Sequence, residues 1–204
     1  GSMLVKTVRR LTERPEGETP VFLIAAERHA GRIRADLAGI DLRGGGALFE
    51  PAGRNTAAAV ALATLRTLAG FGDSLMLVVP ADHEISTVRQ FWQSVEAGAA
   101  VAREGRLVVF GIRPMQPETG YGYIEVAADR NGIFDVSRFV EKPDLATAQR
   151  YVDAGNFYWN TGIFLFRASA MRDAFRAYQP AIWEAVVALP LNPAHGALGS
   201  VCCP

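Results

Sequence analysis

The sequence predicts an α/β protein in which a mixed β-sheet is flanked by helices, and three observations carry that reading. Val21-Phe-Leu-Ile-Ala25, Ala47-Leu-Phe49 and Leu75-Met-Leu-Val-Val79 are short, nearly continuous apolar runs, the pattern of strands covered on both faces. Stretches of helical periodicity lie between them, and strand–helix alternation of this kind builds a doubly wound layer. Beyond Gly111 the alternation gives way to two neighbouring strand patterns around an Asn-Gly turn, which adds a hairpin to the sheet.

Taken in order, Leu4, Val8 and Leu11 recur at spacings of four and three, one apolar stripe of a first helix. The Ala- and Leu-rich stretch from Thr56 to Leu68 reads as a second helix, and Phe91 to Val101 as a third. Leu107-Val-Val-Phe-Gly111 is a strand. Tyr123-Ile-Glu-Val126 and Ile133 to Val140 follow as strands split by the turn signal Asp129-Arg-Asn-Gly132. Asp144 has the chemistry of an N-cap for a helix running to about Ala154. Gly162-Ile-Phe-Leu-Phe166 is a further buried strand, and Ser169 to Tyr178 the last clear helix. From Leu189 onward Pro, Asn and Gly dominate, so residues 1–188 are assigned to one folded domain and residues 189–204 to an irregular tail.

A chain of 204 residues buries roughly 70% of its unfolded surface, enough for a core without covalent staples. Its 21 basic and 21 acidic side chains cancel, which argues against a broad nucleic-acid footprint and leaves room for a local phosphate pocket. No apolar run reaches the roughly 18 residues of a membrane span, and neither a membrane nor a signal peptide is expected. The only cysteines, Cys202 and Cys203, are adjacent, so a reducing, cytoplasmic setting is expected rather than a disulfide framework. His29, His83 and His195 lack zinc-site spacing. Gly44-Gly45-Gly46 lacks the Lys and Ser/Thr of a P-loop and reads as a flexible link.

Several blocks can carry chemistry. Asp82 ends an apolar strand, where ligands of open α/β sheets bind, and a carboxylate there suits a hard divalent cation; it can equally cap the segment that follows. Lys142 offers a compact charge for a phosphate monoester, and Glu141 can accept hydrogen bonds from sugar hydroxyls. Strand neighbours face opposite ways, so these two serve one pocket only if the backbone turns beside Pro143. Otherwise they are a surface ion pair. Gly120-Tyr-Gly-Tyr123 allows close approach of a ligand to the main chain, or is a turn between core aromatics. Asn160 can donate and accept, or end a strand. Pro51-Ala-Gly-Arg-Asn-Thr56 joins a strand to a helix and so presents free N–H groups at the positive end of a helix dipole. It reads as well as an ordinary helix entry capped by Asn55 or Thr56.

Five short blocks in fixed order tip the balance: Glu50 to Ala57, Val79-Pro-Ala-Asp-His83, Glu118 to Ile124, Phe139-Val-Glu-Lys-Pro143, and Trp159-Asn-Thr-Gly-Ile-Phe164. Together they resemble the sugar-nucleotide pyrophosphorylases, and most nearly the bacterial mannose-1-phosphate guanylyltransferase branch. The resemblance implies a Rossmann-like sheet of the nucleotide-diphospho-sugar transferase type. It implies GTP and mannose 1-phosphate as partners, GDP-mannose and pyrophosphate as products, and Mg2+ as cofactor, and it leaves a homodimer open. By the same resemblance Asp82 is the metal ligand, and Asp82 and Lys142 are the catalytic pair. Gly122, Glu141 and Asn160 contact the sugar, and Pro51, Gly53, Asn55 and Thr56 contact the nucleotide, with Arg54 less clearly placed. Two other readings stand beside it: a non-catalytic sugar-nucleotide-binding relative, and a pyrophosphorylase for another sugar and base.

The resemblance runs from about Met3 to Tyr178. The family's first strand and its basic Gly-rich phosphate loop match nothing in these residues. The sheet is therefore expected to carry unpaired edges where that strand is central, and this chain alone is expected to be inactive or nearly so.

Overall fold

The computed structural model describes residues 1–13, 19–50, 55–130, 132–189 and 199–200. Helix α1 (Met3–Thr12) opens the chain, with the Ser2 hydroxyl accepting a hydrogen bond from the Val5 amide. Its Val8 packs with Ala30, Ile33 and Phe49 in a small core. Strand β1 (Phe22–Ala26) runs through a 3-10 turn into α2 (Ala30–Asp36), a helix that the sequence reading does not contain. Strand β2 (Gly46–Glu50) then pairs in parallel with β1, from Phe22 opposite Gly46 to Ala26 opposite Glu50.

The triple glycine before β2 is a tight fitting rather than the flexible link expected. Gly44 sits at φ +80°, and a Cβ on Gly45 would fall on the backbone of Val21. The Val21 carbonyl accepts the Gly46 amide at 3.0 Å, which sets the first rung of the β1–β2 ladder. Only a residue without a side chain permits that approach.

Helix α3 (Asn55–Phe71) leads to β3 (Leu75–Val78), and α4 (Val88–Arg103) to β4 (Val108–Ile112). Strands β5 (Tyr123–Arg130) and β6 (Ile133–Val140) form the hairpin predicted from the turn signal, with Gly132 at φ +82°; Asn131 lies outside the described residues. Asp144 caps α5 (Leu145–Ala154) as expected, its carboxylate accepting from the Thr147 amide at 2.7 Å. Strand β7 (Phe157–Arg167) is the spine of the second sheet: β3, β4 and β5 all pair with it in antiparallel fashion. Helices α6 (Ala168–Tyr178) and α7 (Pro180–Val187) close the main core against α3 through Leu62, Phe166, Phe175 and Trp183. A two-residue strand, β8 (Gly199–Ser200), pairs with β2.

The architecture is mixed α/β, with helices flanking two sheets. One sheet has the order β1-β2-β8; the other has the order β3-β7-β5-β6, with β4 also on β7. Strands β1 and β3 are end strands of their sheets among the described residues. They face each other across a cleft of about 1020 Å³, walled by both strands and by α1, α3 and α4. Its lining includes Val8, Ala59, Ala63 and Val95, together with Glu50, Thr56, Pro80 and Ala81.

Candidate functional site

The second sheet builds the site by register. Tyr123 pairs with Val140 on one side and with Trp159 on the other, so the residue before it meets the residues after its partners. That places Gly122, Glu141 and Asn160 in one row at the end of β5. The Asn160 amide donates to the Gly122 carbonyl at 2.8 Å. A Cβ at Gly122 would lie 3.4 Å from Glu141 Oε2 and 3.7 Å from Asn160 Cβ, so glycine here keeps open the space that both side chains border. Tyr123 is fully buried, and its hydroxyl accepts the Glu118 amide at 2.9 Å, pinning the loop that leads into Gly122.

Lys142 answers the question that its sequence position poses. It has φ +36°, a left-handed backbone at a residue other than glycine. The chain therefore turns immediately after β6, and Lys142 Nζ comes back to 3.6 Å from Glu141 Oε1 instead of projecting from the opposite face. Strained backbone of this kind concentrates at functional sites, because a side chain is being aimed at a cost in local energy. Both side chains are exposed, as a solvent-facing ligand site requires.

Asp82 is reached through β7. Gly162, at φ +67°, forms part of a bulge, and a Cβ there would lie 3.4 Å from Pro80 Cγ. The turn after β3 is thus seated on the residue two positions beyond Asn160, and Asp82 follows Pro80 by two positions on the exposed side of that turn. Helix α1 holds the turn from behind. Lys6 pairs with Glu84 at 2.8 Å, and the buried Arg10 guanidinium donates to the His83 carbonyl at 3.2 Å while lying over the Phe91 ring. Burial lowers the pKa of Arg10, and the Lys6 hydrogen bond lowers that of Glu84.

Asn55 and Thr56 are the first two residues of α3, inside the helix and not its cap, and Thr56 borders the same cleft as Pro80 and Ala81. Pro51, Gly53 and Arg54 lie outside the described residues. Sequence reasoning missed three groups that the fold brings in. Arg10 and Thr161 act across large sequence separations, and no local pattern announces them. Glu50 ends the apolar run of β2, yet it is buried at the cleft, where desolvation raises its pKa. A lone acid closing an apolar strand was the available signal.

As a cation site, Asp82 offers one exposed carboxylate, and no cluster of three His, Cys, Asp or Glu side chains suited to a metal exists among the described residues. A lone carboxylate has the oxygen chemistry of a ligand to a hard divalent cation and selects no particular one.

The family model for nucleotidyl transferases matches residues 1–189. The chain belongs to the nucleotidyl transferase family. Among curated relatives, the xanthan biosynthesis protein XanB of Xanthomonas campestris pv. campestris (strain B100) is 48% identical over 164 residues, covering 80% of this chain and 35% of that protein. The mannose-1-phosphate guanylyltransferase of Escherichia coli (strain K12) is 44% identical over 191 residues, covering 90% and 40%. The chain thus spans well under half the length of these two relatives. Among solved structures, one described as mannose-6-phosphate isomerase from Helicobacter pylori superposes with a TM-score of 0.84 at 27% identity, over all of this chain and 77% of that one. No helix among the described residues is long and apolar enough to cross a membrane.

Proposed function

We propose that this chain carries the sugar-phosphate side of a guanylyltransferase site that joins mannose 1-phosphate to GTP, giving GDP-mannose and pyrophosphate. The observation that supports it best is the row of Gly122, Glu141 and Asn160 with Lys142 turned back beside it. A phosphate oxygen of the sugar 1-phosphate attacks the α-phosphorus of GTP, a new P–O bond forms, and the bond to the β-phosphate oxygen breaks with pyrophosphate as leaving group. Lys142 holds the attacking phosphate as a point charge. Glu141 accepts from sugar hydroxyls, Asn160 donates and accepts, and Gly122 lets the ring approach the main chain. Positioning and charge stabilisation of this type supply most of the acceleration in such transfers. Mg2+, with Asp82 as a ligand, supplies charge neutralisation on the triphosphate. Asn55 and Thr56 meet the nucleotide at the start of α3, where amides and the helix dipole favour phosphate.

Binding is the decisive test, because it reads the sugar-phosphate row of Gly122, Glu141, Lys142 and Asn160 directly. Calorimetric titration with mannose 1-phosphate should saturate, and Lys142→Ala should weaken binding at least tenfold, a loss of about 1.4 kcal/mol or more. Equal affinity in Lys142→Ala sinks the assignment of the phosphate site. Tighter binding of glucose 1-phosphate, or of UTP or dTTP in competition with GTP, moves the reading to another sugar or base.

A further inference from the structure

We infer that Thr161 is a positioning residue, a hydroxyl latch that sets the sugar-binding Asn160 and joins it to the turn bearing Asp82. The inference rests on the proposed function for the identity of the sugar ligand, and on geometry for everything else.

Strand β7 carries more residues than its neighbour here. Val109 of β4 pairs with Phe164 and Gly111 with Asn160, so the single residue Phe110 faces three residues, 161 to 163. Two extra residues must be accommodated, and a bulge of this kind re-aims side chains beside functional sites. Thr161 closes the bulge. Its hydroxyl donates to the Phe110 carbonyl at 2.6 Å, and its oxygen accepts the Ile163 amide at 3.2 Å. One side chain thus satisfies two backbone groups that the shifted ladder leaves without strand partners. Inside the same loop Asn160 Oδ1 accepts the Gly162 amide at 2.9 Å, which fixes the rotamer of the sugar-facing side chain. Gly162, at φ +67°, brings the loop against Pro80. The latch therefore holds Asn160 toward Gly122 on one side and the Asp82 turn on the other.

Valine has the shape of threonine without the hydroxyl, and serine keeps the hydroxyl without the methyl group. Thr161→Val leaves the Phe110 carbonyl and the Ile163 amide unanswered, whereas Thr161→Ser answers both. In the unliganded full chain, hydrogen exchange at the Gly162 and Ile163 amides should accelerate about tenfold or more in Thr161→Val and return to wild type in Thr161→Ser. Amides of α3 and α6 should be unchanged in both variants. With mannose 1-phosphate as probe, Thr161→Val should bind about tenfold more weakly and Thr161→Ser as wild type. Unchanged exchange at Gly162 in Thr161→Val overturns the latch, as does exchange that rises throughout the molecule. Failure of the wild-type chain to bind mannose 1-phosphate overturns the proposed function instead, and leaves the exchange result to decide the latch.

Discussion

At Lys142 the backbone and the side chain make opposing demands. The left-handed region costs an ordinary L-residue roughly 1–2 kcal/mol, and glycine escapes that cost. Under the proposed function a lysine at φ +36° is held there for its ammonium group, beside Glu141 and at the end of the Gly122 row. Two substitutions separate the backbone from the charge. Lys142→Ala removes the charge and keeps the strain; Lys142→Gly removes both. In urea denaturation Lys142→Gly should be more stable than Lys142→Ala by about 1 kcal/mol, while both lose sugar-phosphate binding alike. An alanine variant as stable as the glycine one would show that the turn is relaxed.

Between elements, one carboxylate ties the start of β3 to the junction of β7 and α6. Asp73 accepts hydrogen bonds from the Ser169 amide at 2.9 Å and the Ser169 hydroxyl at 2.8 Å, and pairs with Arg167 at 2.6 Å. These contacts, the Ser169 amide first, lower its pKa from 3.8 to about 2. The sign follows directly. The folded form binds this proton less readily than the unfolded form, so the tie contributes fully above about pH 4 and is lost as the pH falls toward 2. Thermal melts of Asp73→Asn should start from a lower Tm at pH 7 and fall less steeply than wild type between pH 4 and 2. Parallel curves would remove Asp73 from the acid response. The same level shows what a sequence can announce. The hairpin, the Asp144 cap and the apolar strands β1 to β3 were legible because periodicity, turn chemistry and capping are local. Strand β7 reads only from Gly162 because Trp159-Asn-Thr161 breaks the apolar run, although Phe157 to Asn160 continue the ladder on β4 and β5. Helix α7 was missed because Pro180 looks like a stop, yet proline at a first helical position starts a helix. Of the site, Gly122, Glu141 and Asn160 were visible as short blocks. The turn at Lys142 rests on a backbone angle that no local residue pattern encodes, and the Arg10 and Thr161 contacts span 73 and 51 residues of sequence.

Across the whole molecule the opposing end strands β1 and β3 make packing unequal on the two sides of α3. One face of that helix meets α6 and α7 in the main core, where Ala61 is fully buried. The other lines the cleft of about 1020 Å³, where Ala59 is half-buried. A well-packed interior resists added volume, typically at 1–3 kcal/mol for a small-to-large change, while an open apolar wall accepts it. Ala61→Leu should therefore destabilise the protein by about 1–3 kcal/mol, and Ala59→Leu, two residues away on the same helix, should be neutral or stabilising. Urea midpoints of the two variants measure the contrast. Equal losses at both positions would mean that the cleft is closed in solution and that β1 and β3 are packed more tightly than the fold shows. A neutral Ala59→Leu would confirm open apolar volume in the cleft that Thr56, Pro80 and Ala81 also line.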